Sequence, residues 1–132
     1  MKYLGIDYGT KRVGIALSDD DGSFAFPKTV FDTIMAIQEI ALLCQSEQVV
    51  AIVLGESVAT NEVHNMVAVK TAAFKKKLEK VLSIPIYFER EDFSSVEAHR
   101  YQTKKGSRDD SAAAIILQRY LDKLLDTKKL PQ

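Results

Sequence analysis

The sequence predicts an α/β domain: a mixed five-stranded sheet, three antiparallel strands and then two parallel ones, flanked by helices. Three observations carry that prediction. Two β-branched apolar runs, residues 2–8 and 12–18, stand on either side of "GTKR" at the very start. A third run, "SFAFPKTVF" (23–31), follows after the short polar turn "DDDG" (19–22). Beyond it, the apolar runs "VVAIVLG" (49–55) and "IPIYFE" (84–89) alternate with stretches of helical periodicity.

Taken in order, the first two runs read as a hairpin in which Gly9 supplies an unusual backbone angle. The third strand suits a sheet edge, because Pro27 removes a ladder donor that a central strand would need. Asp32 or Thr33 can cap the first helix, whose apolar positions Ile34, Ile37, Ala41 and Leu42 fall on one side. "VVAIVLG" is continuously apolar and ends in glycine, the pattern of a buried parallel strand. A second helix spans about 62–81, with Val63, Val67, Ala73 or Phe74 and Leu78 inward and Lys75, Lys76, Lys77 and Lys80 largely outward as a solvated face. After the Pro85-led strand, "SSVEAHRYQTK" (94–104) opens a helix with Ser94 and Glu97 in capping-box spacing. The last helix, about 109–127, places Ala113, Leu117, Tyr120, Leu121 and Leu124 at helical intervals, and only "TKKLPQ" reads as a frayed tail.

At 132 residues the chain suits a single domain, 1–132. Eighteen basic and eighteen acidic residues cancel, so a nucleic-acid partner must be argued from local clusters rather than overall charge. Cys44 is the only cysteine, which excludes an internal disulfide and a cysteine metal cluster; inside "IQEIALLCQSE" it reads as a small buried apolar residue. No apolar run approaches the roughly 20 residues of a membrane span. The start shows no signal-peptide pattern, so the expectation is a cytoplasmic protein with no membrane partner.

One residue breaks the apolar logic. Asp7 follows Leu4, Gly5 and Ile6 in the first strand, where an unpaired charge is costly. Acidic residues also close the last strand, Glu89 and Glu91 in "YFERED", and open the last helix, Asp109 and Asp110 in "GSRDDSAAAIIL". Ligand sites in α/β sheets gather at the carboxyl edges of strands. With the parallel strands ordered 1-4-5, the first and last lie about 10 Å apart. Carboxylates leaning inward from each could share hard cations, Mg²⁺ or Mn²⁺, about 3.5–4 Å apart, as phosphodiester hydrolysis uses. Each acid also has a plain structural role. Asp7 can start a turn, and Glu89 and Glu91 singly read best as solvated loop charges. Asp110 stands three residues after Ser107 as a helix cap, while Asp109 is balanced between the two roles. His64 and His99 read as surface or satisfied histidines. Lys11, Arg12, Lys104, Lys105 and Arg108 flank the acidic edge from two elements, as phosphate contacts require.

"GIDYGTKRVGIALSD" (5–19) closely resembles the opening signature of the YqgF, or RuvX-like, family, and "VVAIVLG", "EDFSSVEA" and "RDDSAAAIILQRYLD" continue the likeness over nearly the whole chain. That resemblance implies a ribonuclease H-like fold with strand order 3-2-1-4-5. It also implies an acidic triad on Asp7, Glu91 and Asp109, with Glu89 as reserve for the second position. The family's Asp-Glu-Arg before Leu-Thr-Thr is here Arg90-Glu91-Asp92 before Phe93-Ser94-Ser95, and its Gly-x-Pro loop is here "GESVATNEVHN" (55–65).

The expectation is a nuclease whose triad holds Mg²⁺ or Mn²⁺, with Lys11, Arg12, Lys105 and Arg108 as phosphate anchors. The resemblance implies structured RNA, in 5′-end processing of the 16S rRNA precursor, as substrate. The alternatives are a Holliday junction resolvase acting on branched DNA and a catalytically silent nucleic-acid-binding module. A monomer or weak homodimer fits the first, whereas a resolvase favours a two-fold dimer. "GIDYGT" also resembles the first phosphate loop of the actin and sugar-kinase ATPases, but those close two such domains around a nucleotide.

Overall fold

Alternation along the first strand decides the architecture, because its even and odd residues bury against different helices. The computed structural model describes residues 1–56, 62–90 and 108–129. It comprises β1 (Lys2–Asp7), β2 (Arg12–Ser18), β3 (Ala25–Asp32), α1 (Thr33–Glu47), β4 (Val49–Glu56), α2 (Glu62–Val81), β5 (Ile86–Arg90) and α3 (Arg108–Lys129). The sheet order is β3-β2-β1-β4-β5. β1 pairs antiparallel with β2 and parallel with β4, as expected for this mixed sheet. The expected helix over 94–104 lies outside the described residues.

On one face Leu4, Ile6, Val13, Ile15, Ile52 and Leu54 meet Ala36, Ile40 and Cys44 of α1 and Phe74 and Leu78 of α2. On the other, Ala16 and Val53 meet Ala113, Ile116, Leu117 and Leu121 of α3. β1 and β4 are therefore covered on both sides, which is why β4 reads as an unbroken apolar run. Gly5 lets α3 settle on β1: a Cβ there would stand 2.7 Å from Leu117 Cβ and 2.9 Å from the Ala113 carbonyl oxygen. Gln118 ties the same helix to the β2–β3 turn, accepting from the Ala25 N–H at 2.8 Å and donating to the Ser23 carbonyl at 2.9 Å.

Two local expectations need correction. Gly9 does not occupy the left-handed region, which among the described glycines belongs to Gly22 at φ 70°. Gly9 is required for room instead, since a Cβ would lie 2.4 Å from the Arg12 carbonyl oxygen across the hairpin. The left-handed turn sits at 19–22, where the Asp19 carboxylate accepts the backbone N–H groups of Ser23 and Phe24 at 2.8 and 3.2 Å. The second correction concerns α1, which turns a different face inward. Ala36, Ile40 and Cys44 are its buried residues. Ile34 is 93% exposed and Leu42 56%. Asp32 occupies the cap position without a side-chain cap bond. The helix is apolar nearly all round, so periodicity names no unique inner side.

Gly5→Ala should push α3 off β1 and lower stability by about 1–3 kcal/mol, read as a fall in the urea midpoint; an unchanged midpoint would contradict the close approach. Burial pushes the Cys44 thiol from its ordinary 9.0 up to about 11. The folded protein should therefore resist alkylation at neutral pH and react only on unfolding. Because the folded value is the raised one, this thiol's contribution to stability is complete below pH 9.0 and is lost as pH climbs through about 11. Rapid labelling of the native protein would refute the assignment.

Candidate active site

Asp7 is the last residue of β1, half-buried, and opposite Gly14 of β2. It shares strand parity with Gly5, so it belongs to the face that α3 covers. α3 runs against β1 in the opposite direction: Ala113 and Leu117 lie over Gly5, and Tyr120 meets Tyr3 with ring centroids 6.1 Å apart. Asp109 stands one turn before Ala113, about 6 Å back along the helix. Asp7 stands two residues past Gly5, nearly 7 Å along the strand by the rise of about 3.3 Å per residue. The first turn of α3 therefore runs toward the end of β1 that carries Asp7. Residue 110 begins a different row, 110–114–118, which leads to Gln118 and its bonds to the β2–β3 turn. Asp109 instead opens the row of Ala113 and Leu117, the two residues over Gly5. The side chains of Arg108, Asp109 and Asp110 lie outside the described residues, as do Glu91 and Lys105 entirely.

Glu89 is a different matter from the solvated loop charge the sequence suggests. It lies in β5, pairs in register with Gly55, and is only 4% exposed. Because Ile6 pairs with Leu54 and Leu54 with Phe88, Glu89 shares a row with Asp7 about 10 Å away across two strand spacings. Its Oε2 accepts from Lys123 Nζ at 2.7 Å and lies 3.6 Å from Arg119 Nε, both on α3. Tyr87 of the same strand stacks on Tyr120 at 5.7 Å. Two cations four residues apart, on one face of α3, thus flank this carboxylate. Among the described residues, no three His, Cys, Asp or Glu side chains gather closely enough to hold a metal ion.

The hairpin that follows Asp7 is clamped to the start of α1. Thr33 donates its hydroxyl to the Gly9 carbonyl at 2.8 Å and its N–H to the Lys11 carbonyl at 3.0 Å. Lys11 and Arg12 are therefore carried on a fixed turn, exposed at the same edge as Asp7. The described part of the edge carries Asp7, Lys11 and Arg12 on one hairpin, and the first turn of α3 runs toward it. All the candidate ligands are hard oxygen donors, the set that Mg²⁺ and Mn²⁺ prefer.

A sequence model of the family described as "RuvX: Holliday junction resolvase" matches residues 1–123. The chain belongs to this family. Relatives named "Putative pre-16S rRNA nuclease" include one from Nitratidesulfovibrio vulgaris, 33% identical, spanning 99% of this chain and 99% of the relative. Another, from Lawsonia intracellularis, is 36% identical over 92% and 94%. Among solved structures, T. thermophilus RuvC in complex with a Holliday junction substrate superposes with a TM-score of 0.66 at 14% identity, over 96% of this chain and 97% of that one. The fowlpox virus resolvase, also solved with Holliday junction DNA, gives 0.55 at 12% over 95% and 99%. At such identities these likenesses show the fold alone, the mixed sheet of a RuvC-like ribonuclease H fold. No described helix is long and apolar enough to cross a membrane.

Replacing both Arg119 and Lys123 by Ala should destabilise the protein by about 3–5 kcal/mol, because it strands a buried carboxylate. Glu89→Gln should cost about 1 kcal/mol, since Lys123 is 63% exposed and can return to water. Urea unfolding of the two variants checks the order, and a larger loss in Glu89→Gln would overturn it.

Proposed function

We propose that this chain is a divalent-metal-dependent nuclease that hydrolyses phosphodiester bonds at the carboxyl edge of β1, acting in the cytoplasm on the 5′ end of the 16S rRNA precursor. The observation that supports the reading is that α3, seated on Gly5, runs its first turn toward the edge where β1 ends in Asp7. Asp7, Glu91 and Asp109 would hold Mg²⁺ or Mn²⁺. The ions, when bound, supply activation of water and neutralisation of charge on the phosphate.

The rest of the work falls to the protein's own groups. Asp7, at the end of a strand covered on both faces, is held within a narrow range of positions, so little reorganisation is needed when substrate arrives. Lys11 and Arg12, on the turn clamped by Thr33, present positive charge to the phosphate backbone beside it. Lys105 and Arg108, just before and at the start of α3 in the sequence, would serve the same purpose. The pairing of Glu89 with Lys123 and Arg119 supports giving the second acidic position to Glu91 rather than to Glu89.

The RNA substrate is supported by the names of relatives matching nearly end to end. Resolution of a four-way DNA junction is the second reading, favoured by the family's description and by the fold shared with RuvC. Symmetric cutting of two strands requires two copies of the site, so that reading also predicts a two-fold dimer.

Purified protein with Mn²⁺ should cleave a pre-16S rRNA fragment in preference to a four-way junction. Chelation should abolish cleavage, and Asp7→Asn should slow it about 100-fold or more while leaving RNA affinity within a few-fold. Equal rates for wild type and Asp7→Asn would remove the nuclease reading. Binding without product under any divalent ion would leave a silent binding module, and preferred cutting of the junction would transfer the activity to DNA.

A further inference from the structure

Asp7 and Tyr8 are consecutive, and at a strand's end consecutive residues leave toward opposite faces. Asp7 belongs to the α3 side. Tyr8 belongs to the α2 side, where its ring meets Phe74 at 4.9 Å between centroids. Beside this ring pair, between the hairpin and α2, is a cleft of about 350 Å³. That volume falls within the range of about 300–1,000 Å³ typical of ligand sites. Its lining from α2 is one helical stripe, Lys70, Ala73, Phe74 and Lys77; Thr10 closes it from the hairpin, and Thr33, Ile34 and Ile37 from the start of α1. The stripe is apolar in the middle and cationic at both ends. Among the described residues no carboxylate pairs with Lys70 or Lys77, whereas Lys75 on the same helix is held by Glu79 at 2.6 Å and lies over the Phe88 ring.

We propose that this cleft is a second nucleic-acid subsite, binding backbone phosphates that flank the one cut beside Asp7. The proposal rests on the nuclease reading, since it places the substrate strand across the carboxyl edge of β1. A strand crossing that edge from the α3 side to the α2 side passes from Asp7 to Tyr8, whose ring lines the cleft. Lys70 and Lys77 leave α2 about 10 Å apart, near enough to bracket adjacent phosphates from either end. Half-buried Tyr8 supplies a π-face against which an unpaired base can rest, and exposed Thr10 adds a hydroxyl donor. Apolar floor, aromatic ring and paired cations form the combination that single-stranded nucleic acid requires. A carboxylate-bearing or neutral ligand would use only part of it. Of the lysines at 75–77 and 80, which the sequence reads as a solvated face, Lys77 is thereby given a ligand, together with Lys70.

The test measures binding of a fluorescent single-stranded oligonucleotide, RNA and DNA in parallel, on the Asp7→Asn background so that cleavage does not intervene. Lys70→Gln with Lys77→Gln should weaken binding about tenfold and reduce the slope of log affinity against log salt by about one to one and a half, near 0.7 per phosphate. Lys76→Gln with Lys80→Gln removes the same charge from the same helix outside the cleft, and should change affinity less than twofold. Equal losses in both pairs would mean a diffuse field and overturn the subsite. No loss in either would overturn it too, while cleavage by wild type and its arrest in Asp7→Asn would leave the nuclease reading standing. Displacement of the oligonucleotide by micromolar adenosine monophosphate would assign the cleft to a free nucleotide instead. A wild-type protein that binds no nucleic acid at all would remove both proposals.

Discussion

The contact between α3 and the missing side chain of Gly5 governs the functional edge. A helix normally rides 8–10 Å from its neighbour because side chains separate the axes. Here one strand position has no side chain, and Leu117 and Ala113 descend almost to the β1 backbone. That approach sets the height of α3 over the sheet. Its direction, shown by the contact between Tyr120 and Tyr3, points the first turn of the helix toward the edge that carries Asp7. The edge is thus assembled by a steric vacancy two residues before the carboxylate it serves.

A second pairing keeps that assembly square. Glu89, a buried carboxylate on the edge strand β5, is bonded by Lys123 and approached by Arg119, both in the second half of the same helix. Gln118 holds the opposite flank to the β2–β3 turn. α3 is therefore pinned at its centre by packing and on both sides by polar contacts. Buried ion pairs add little net stability, because desolvation offsets most of the attraction, but they discriminate strongly against misplacement. In a site built from separate elements, that discrimination is the useful property.

The first strand also divides the labour between the two faces. Odd residues look to α3 and end in Asp7; even residues look to α1 and α2, and Tyr8 joins them beyond the strand's last ladder pair. Chemistry and strand guidance can then occupy adjacent residues without crowding each other. The clamp from Thr33 to Gly9 and Lys11 fixes the hairpin from which both sides are reached.

Much was legible before any coordinates. Strand and helix positions followed from local patterns: β-branched runs, the Pro27 edge strand, the unbroken β4, and the α3 row of Ala113, Leu117 and Leu121. These are properties of nearest neighbours along the chain, which is why sequence alone determined them, and Asp7 stood out for the same reason, as a charge among apolar neighbours. The inward side of α1, the space demanded by Gly9 and the partners of Glu89 were not legible. α1 offers apolar residues in every direction, so only its seat on the sheet selected Ala36, Ile40 and Cys44 over Ile34 and Leu42. Glu89 became a buried, paired carboxylate because α3 delivered Lys123 to it from 34 positions away. Tertiary structure decided whatever depends on two distant segments meeting at one distance, since no pattern within a single segment encodes where the other will lie.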